Sequence, residues 1–427
     1  LKFGKVFLFV LLSLCLIAVF KDYLYSLKSQ ASLPISGLSK LRGVFMKIFL
    51  ALFVAGLAQS ASADERDQAF RIHNRLTCEP PTKEVLELMT DLIKKGDPEG
   101  AGKLAIKNRG FLECSVKQWC TVQTNADMKF DEKLNDYCAT VIGGVRDEKP
   151  FGELLSSDII YVADPNKYMG TPALPPYDPA NNLHYEFIES RGLDLADVLI
   201  EKKQSEISGI PQTAGILTSR AFAAAFLSAG TNRRAIRFSM LNYLCNDLEQ
   251  MSDTSRPDAM VARDVERDPG GDATTYNNRC KGCHAGQDFF RGAWAFYDYD
   301  VTAMKIKYTP GVVAPKYNIN ADSYPTGHVT VDDKWINNWT VGQNARFGWP
   351  EDLKQGNGVA SFGQMLAKTA GFNTCMAKRT YKSVCASEGE SEKEKKIISE
   401  LANDFKGSNQ NLKTLFVKTA LRCHIGE

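Results

Sequence analysis

Residues 280–284 read Cys280-Lys281-Gly282-Cys283-His284, and two thiols three apart with an imidazole directly after them restrict this chain more than any other feature. All three side chains must emerge within about one helical turn, on a segment that the rest of the chain can wrap. Three chemistries use such a spacing. In covalent haem attachment the thiols add across the two vinyl groups and the adjacent imidazole becomes an iron ligand. A zinc site needs two further ligands at comparable spacing, and no second C-x-x-C and no H-x-x-x-H occurs. A redox dithiol gives His284 no role. The expected cofactor is therefore one covalent haem c, with Cys280 and Cys283 as attachment points and His284 as the proximal ligand.

That chemistry belongs outside the cytoplasm, and the N-terminal sequence agrees. Met46-Lys47, the apolar run from Ile48 to Leu57 and the small residues Ala61-Ser62-Ala63 have the charged start, hydrophobic middle and cleavage site of a secretory signal. The expected precursor starts at Met46, with 46–63 as signal peptide and a mature chain opening near Asp64. Residues 1–45 contain a second apolar run, Val6 to Phe20, and read as an upstream mis-start or an N-terminal membrane anchor. Membrane association is thus expected only through the N-terminus, and the location is periplasmic or otherwise exported.

Export makes the cysteines readable. Of eleven, Cys15 precedes the cleavage site and two belong to the motif, leaving Cys78, Cys114, Cys120, Cys138, Cys245, Cys375, Cys385 and Cys423. An even remainder in an oxidising compartment predicts up to four disulfides of unspecified connectivity. Cys375 and Cys385 lie in one helical stretch and would be about 15 Å apart along an unbroken axis, so they should not pair with each other. Cys423 is a candidate partner for one of them.

The 427 residues, 44% hydrophobic and 24% charged, suffice for more than one packed unit. A net charge of +2, with no dense basic block, points away from nucleic acid. Periodicity is mostly helical: Thr82 to Lys95 with a glycine stop at Gly96, Phe130 to Val145, Phe151 to Ile160, Arg233 to Met251, Ser361 to Cys385 and Glu392 to His424. Residues 165–179 read as a Pro-rich linker, and Met304 to Tyr308 with Val312 to Ile319 as a β-hairpin around Thr309-Pro310-Gly311. Phe289, Phe290, Trp294, Phe296, Tyr297 and Tyr299 supply aromatic surface for a haem crevice or for core. The expected class is mainly α, multi-helical, with an embedded c-type haem segment and a small hairpin. The expected divisions are an N-terminal helical domain over 64–164, a linker and connecting helix over 165–213, a haem-binding domain over 214–345 and a C-terminal helical domain over 346–427.

The run from Cys280 through Asp288, Gly292 and Phe296 to Asp298 resembles the C-x-x-C-H-x-x-x-D-P-x-G-x-x-F-x-x-x-D stretch of the planctomycete-type cytochrome c proteins, with Gly292 one residue and Phe296 two residues later than in that pattern. Ala214-Gly215-Ile216-Leu217-Thr218-Ser219 with Thr231-Asn232-Arg233, Phe372 to Tyr381, Arg75 to Thr82 and Arg146 to Phe151 are similar to further signatures of that family, so the likeness runs from about residue 70 onward. Phe289 stands where the family has Pro, and Cys78 where it has Gly. The resemblance implies an exported bacterial mono-haem protein of mainly helical fold and says little about substrate.

Candidate sixth iron ligands are His184, then His328, with Met304, Met365 and Met376 as sulfur alternatives. The favoured function is electron transfer to a partner protein, which needs a closed axial position. A peroxide- or oxygen-using oxidoreductase would keep that position open beside a proton-moving group, for which His184-Tyr185-Glu186 is a weak candidate. A haem-stabilised binding or scaffold module is the third reading. No Ser/His/Asp elbow or phosphate loop argues for other chemistry.

Overall fold

The computed structural model describes residues 65–423, so the expected leader segments 1–45 and 46–63 lie outside the described residues. From Arg66 onward the chain packs as one unit. It is mainly helical, with three small antiparallel two-stranded ribbons. Among the described residues no helix is long and apolar enough to cross a membrane.

Local sequence explains where the helices begin. Thr82 caps Lys83–Lys94 by accepting from Val85 N at 3.3 Å, and Asp97 caps Pro98–Ala105, which opens on a proline whose missing N–H is no loss there. Asn135 caps Asp136–Arg146, whose residues are buried from Asp136 to Val145, making it the central helix. Gly143 on that helix lies so close to the Tyr161 ring that a Cβ would collide with it, and the absent side chain lets strand Ile160–Ala163 pack directly on the helix. The C-terminal layer is Ala370–Cys385, Glu392–Gly407 and Leu412–Arg422, all packed on one another. Leu412–Arg422 also packs on Pro98–Ala105, which brings the two ends of the described chain together.

Four disulfides tie this frame: Cys78–Cys114, Cys120–Cys138, Cys245–Cys375 and Cys385–Cys423. Cys375 and Cys385 do not pair with each other, as the helix length requires, and Cys423 takes Cys385.

Several expected elements are corrected. The hairpin pairs Tyr297–Asp300 with Lys305–Tyr308, register Tyr297 opposite Tyr308 and Asp300 opposite Lys305, so only the 305–308 arm was expected. Its partner lies upstream because Asp300 accepts from the backbone N–H groups of Thr302 and Ala303 and closes the turn, whereas Pro315 starts a short 3-10 helix in 315–318. Ser361 to Cys385 is two helices, Gly358–Ala367 and Ala370–Cys385, because Thr369 turns its side chain back to cap Phe372 N at 2.9 Å. Glu392 to Cys423 likewise breaks after Gly407. Phe130 to Asn135 is not helical, and Phe151 to Ile160 is a 3-10 turn followed by the start of a strand. Arg233 to Met251 stops at Leu244, where Cys245 takes a left-handed conformation and its disulfide.

Candidate functional site

The motif sits where a π-helical turn, Tyr276–Cys280, runs into the helix Lys281–Phe290. Gly282 and Gly286, one turn apart, face Ser252 and the Trp339 ring so closely that a Cβ at either would collide, so these glycines set how near the helix lies to its neighbours. Phe290, one turn past Gly286 on the same face, enters an aromatic cluster with ring centroids 5.5 Å from both Trp339 and Phe362. Trp294 stacks on Phe222 at 5.8 Å. Of the aromatic residues expected beside the motif, Phe290, Trp294 and Tyr297 belong to the main core with Tyr299 packed against it, while Phe296 packs on a small separate cluster of Ala295, Ala314 and Tyr317.

The two motif cysteines are the free thiols among the described residues, and both are partly exposed. Cys283 Sγ lies 3.4 Å from the Leu248 carbonyl, and burial pushes its thiol pKa up. His284 and Asp288 share a face, being four residues apart on a helix. His284 Nδ1 lies 3.3 Å from Asp288 Oδ1, and Nε2 makes no hydrogen bond among the described residues. Asp288 is fully buried and receives Arg233 on both oxygens, Nε to Oδ1 at 2.6 Å and Nη2 to Oδ2 at 2.8 Å. Its Oδ2 also accepts from Ala262 N at 3.0 Å. Burial alone would raise this carboxyl, but the Arg233 charge and hydrogen bonds, with His284 adding to them, hold it well below the usual carboxylate range. Arg233 is fixed in turn by Asp264 through two bonds of 2.6 and 2.8 Å, and by Thr231. Burial lowers the Arg233 pKa, but the two carboxylates outweigh it and raise the net value.

This arrangement suits an iron porphyrin held covalently. The donor set is two unpaired thiols a turn apart and an imidazole whose Nδ1 is anchored and whose Nε2 is left over for a metal. Among the described residues the buried Nε atoms of Arg256, Arg263 and Arg267, and Nε of Arg291 just past the motif helix, make no hydrogen bond, while Arg291 Nη1 lies 3.9 Å from Asp264 Oδ1 as an ion pair.

The other predicted ligands are placed as follows. His184 is buried, accepts from Ala163 N at Nε2 (2.9 Å) and donates from Nδ1 to the Pro175 carbonyl (2.7 Å). It fastens the 165–179 segment onto the first ribbon, burial lowers its pKa, and none of its partners is on the motif helix. His328 does come near the site. Its backbone N–H donates to Val261 O at 3.0 Å, one residue from the Ala262 amide that Asp288 holds, and its ring makes no hydrogen bond among the described residues. It lines a cavity of about 450 Å³ with Met260, Asp288, Gly292, Thr330 and Lys334. That cavity opens at the Asp288 end of the helix, about two turns past Cys280. Met304 is exposed at the hairpin, Met376 is core, and Met365 is buried with its sulfur accepting from Asn337 at 3.4 Å.

Sequence reasoning missed the roles of Arg233, Asp264 and Met260. The H-x-x-x-D spacing of His284 and Asp288 was a usable signal, but Arg233 lies far along the chain and nothing local marks its pairing. Among the described residues no three or more His, Cys, Asp or Glu side chains are grouped so as to hold a metal ion by themselves. This chain matches no protein-family model, no curated protein and no solved structure.

Proposed function

We propose that this chain is an exported c-type cytochrome that carries one haem and passes electrons to a partner protein. Each thiol, Cys280 and Cys283, adds its S–H across a vinyl C=C, forming a C–S bond with no by-product, and His284 presents Nε2 to the iron. Bound there, the haem supplies a one-electron couple. The observation that carries the reading is selective: the eight other described cysteines are paired with one another, and the two left free are those of the C-x-x-C-H run. Four disulfides suit an oxidising compartment, as haem attachment of this type does. The likeness of residues 280–298 to the planctomycete-type cytochrome c stretch supports the same assignment.

A second reading, an oxidoreductase with an open sixth position, is favoured by one observation. His184 has both ring nitrogens engaged, Met365 and Met376 are core, and Met304 is on an exposed hairpin, so the fold offers His284 few partners across an iron.

The test is production of the full chain alongside a haem-attachment system, followed by mass spectrometry and optical spectra. One added haem is expected, lost in Cys280→Ala/Cys283→Ala, and an unmodified wild-type mass overturns the proposal. A low-spin spectrum favours the carrier, and if His328→Ala then turns high-spin, His328 is the sixth ligand. A high-spin wild type that binds cyanide readily favours the oxidoreductase.

A further inference from the structure

We infer that Asp288, locked by Arg233, is the positioning residue that fixes the tautomer of His284 and tunes the basicity of the nitrogen offered to the iron, drawing the couple toward the ferric side. The inference rests on the haem reading above. An imidazole has two nitrogens, and a ligand histidine is set by what its other nitrogen does. Here Nδ1 faces a carboxylate and not a backbone carbonyl, at 3.3 Å, and Asp288 is acceptor-only because Arg233 sits on both of its oxygens. The proton must therefore reside on Nδ1 and the lone pair on Nε2. A carboxylate pulls that proton harder than a neutral carbonyl, leaving more electron density on Nε2 and favouring the oxidised metal.

The carboxylate has no freedom to drop this duty. Its Oδ2 is held by Ala262 N as well as Arg233 Nη2, so rotation would break both bonds. Arg233 cannot swing away either, since Asp264 and Thr231 hold its outer edge. Arg233 also tempers the effect, because a guanidinium sharing Oδ1 with His284 draws charge from the oxygen that faces the ring. The two residues of one ion pair should therefore push the couple in opposite directions.

The bland alternative is that the pair only braces the 258–264 segment against the helix. Midpoint potentials of the haem-loaded full chain separate the two. Asp288→Asn should keep its haem and shift the potential upward, and Arg233→Gln should shift it downward. Asp264→Asn removes a half-buried carboxylate from the far side of Arg233 while leaving the His284–Asp288 hydrogen bond in place: tuning through that bond predicts a shift much smaller than that of Asp288→Asn. Equal upward shifts in the two aspartate variants, or shifts of one sign in Asp288→Asn and Arg233→Gln, overturn the inference. Should Asp288→Asn fail to load haem, the wild type still decides the matter. Its His284 Nδ1–H, buried against Asp288, should exchange slowly with solvent by NMR, and fast exchange overturns the proposal. A wild type without covalent haem removes the reading beneath, and this inference with it, whereas a loaded wild type with unshifted variants defeats the inference alone.

Discussion

In Ala370–Cys385, Glu392–Gly407 and Leu412–Arg422 the chain is regular, and each helix starts on its own Thr, Ser or Asn cap. Around the motif, from 245 to 345, it is mostly short turns, with Lys281–Phe290 as the one longer helix. What holds this second region is contact between distant residues. Asn338 donates to the carbonyls of Pro257 and Ala285, Asn344 to Met251, and Tyr324 N to Arg263. The frame is specified residue by residue along each helix, while the site is specified by contacts between segments far apart in the chain. A site built in the second way depends on the frame to keep its partners in place, and Cys245–Cys375 is the covalent tie between the two, placed where Arg233–Leu244 ends.

Cutting that tie is the severest challenge to the comparison. Cys245→Ala/Cys375→Ala opens a loop spanning 130 residues, for which chain entropy gives about 5 kcal/mol of lost stability. Cys120→Ala/Cys138→Ala, spanning 18 residues within the frame, should cost about 3 kcal/mol. Denaturant unfolding measures both. If the two variants lose the same stability, or if the frame variant loses more, the dependence of the site on this tie is wrong.

A smaller effect sharpens the contrast between the regions. Gly286→Ala puts a Cβ into the Trp339 ring, which is itself fully buried, and overpacking of that kind costs about 1–3 kcal/mol. Gly102→Ala, in the frame helix Pro98–Ala105, brings a Cβ to 2.7 Å from a Val417 methyl. Both glycines lie within helices, so the helix preference of alanine, about 0.5–1 kcal/mol, offsets part of the strain in each, and the difference comes from what the Cβ meets: a rigid buried indole at Gly286 and a single methyl at Gly102. Thermal unfolding should therefore rank Gly286→Ala as clearly the worse of the two.

The same contrast explains what could be read in the sequence. Thr82, Gly96 and the apolar spacing between them marked a helix correctly because every signal lies within it. The break at Thr369 was missed although a Thr cap is a local signal, since apolar spacing continues through both helices and masks it. The hairpin was placed one arm too late because Pro310-Gly311 is a stronger turn signal than 301–304, yet the Asp300 side chain closes the actual turn. At the site, the thiols and His284 were legible from spacing. The partners of His284 were legible only as far as Asp288, four residues on, because pairing with Arg233 and the approach of His328 to Val261 are decided by folding. His184 looked available from its place after a Pro-rich segment, and only the fold reveals both of its nitrogens in use.

The smallest expected effect tests whether the frame is as locally specified as this account requires. Glu394 completes the capping box of Glu392–Gly407: its carboxylate accepts from Ser391 N at 3.1 Å while Ser391 Oγ accepts from Glu394 N at 3.3 Å. The Ser387 hydroxyl, the Ser391 hydroxyl and the Ser391 amide together lower its pKa from 4.5 to about 2. A carboxyl whose folded pKa is depressed binds protons more readily in the unfolded chain, so its contribution is full above the unfolded value and declines as pH falls toward the folded one. The stability difference between wild type and Glu394→Gln should accordingly be constant above pH 5 and shrink steadily between about pH 4.5 and pH 2. Because the group is at the surface, the difference should also be modest and weaken with salt. A difference that grows on acidification, or that changes between pH 6 and pH 8, would mean the helix start is held by something other than its own first turn.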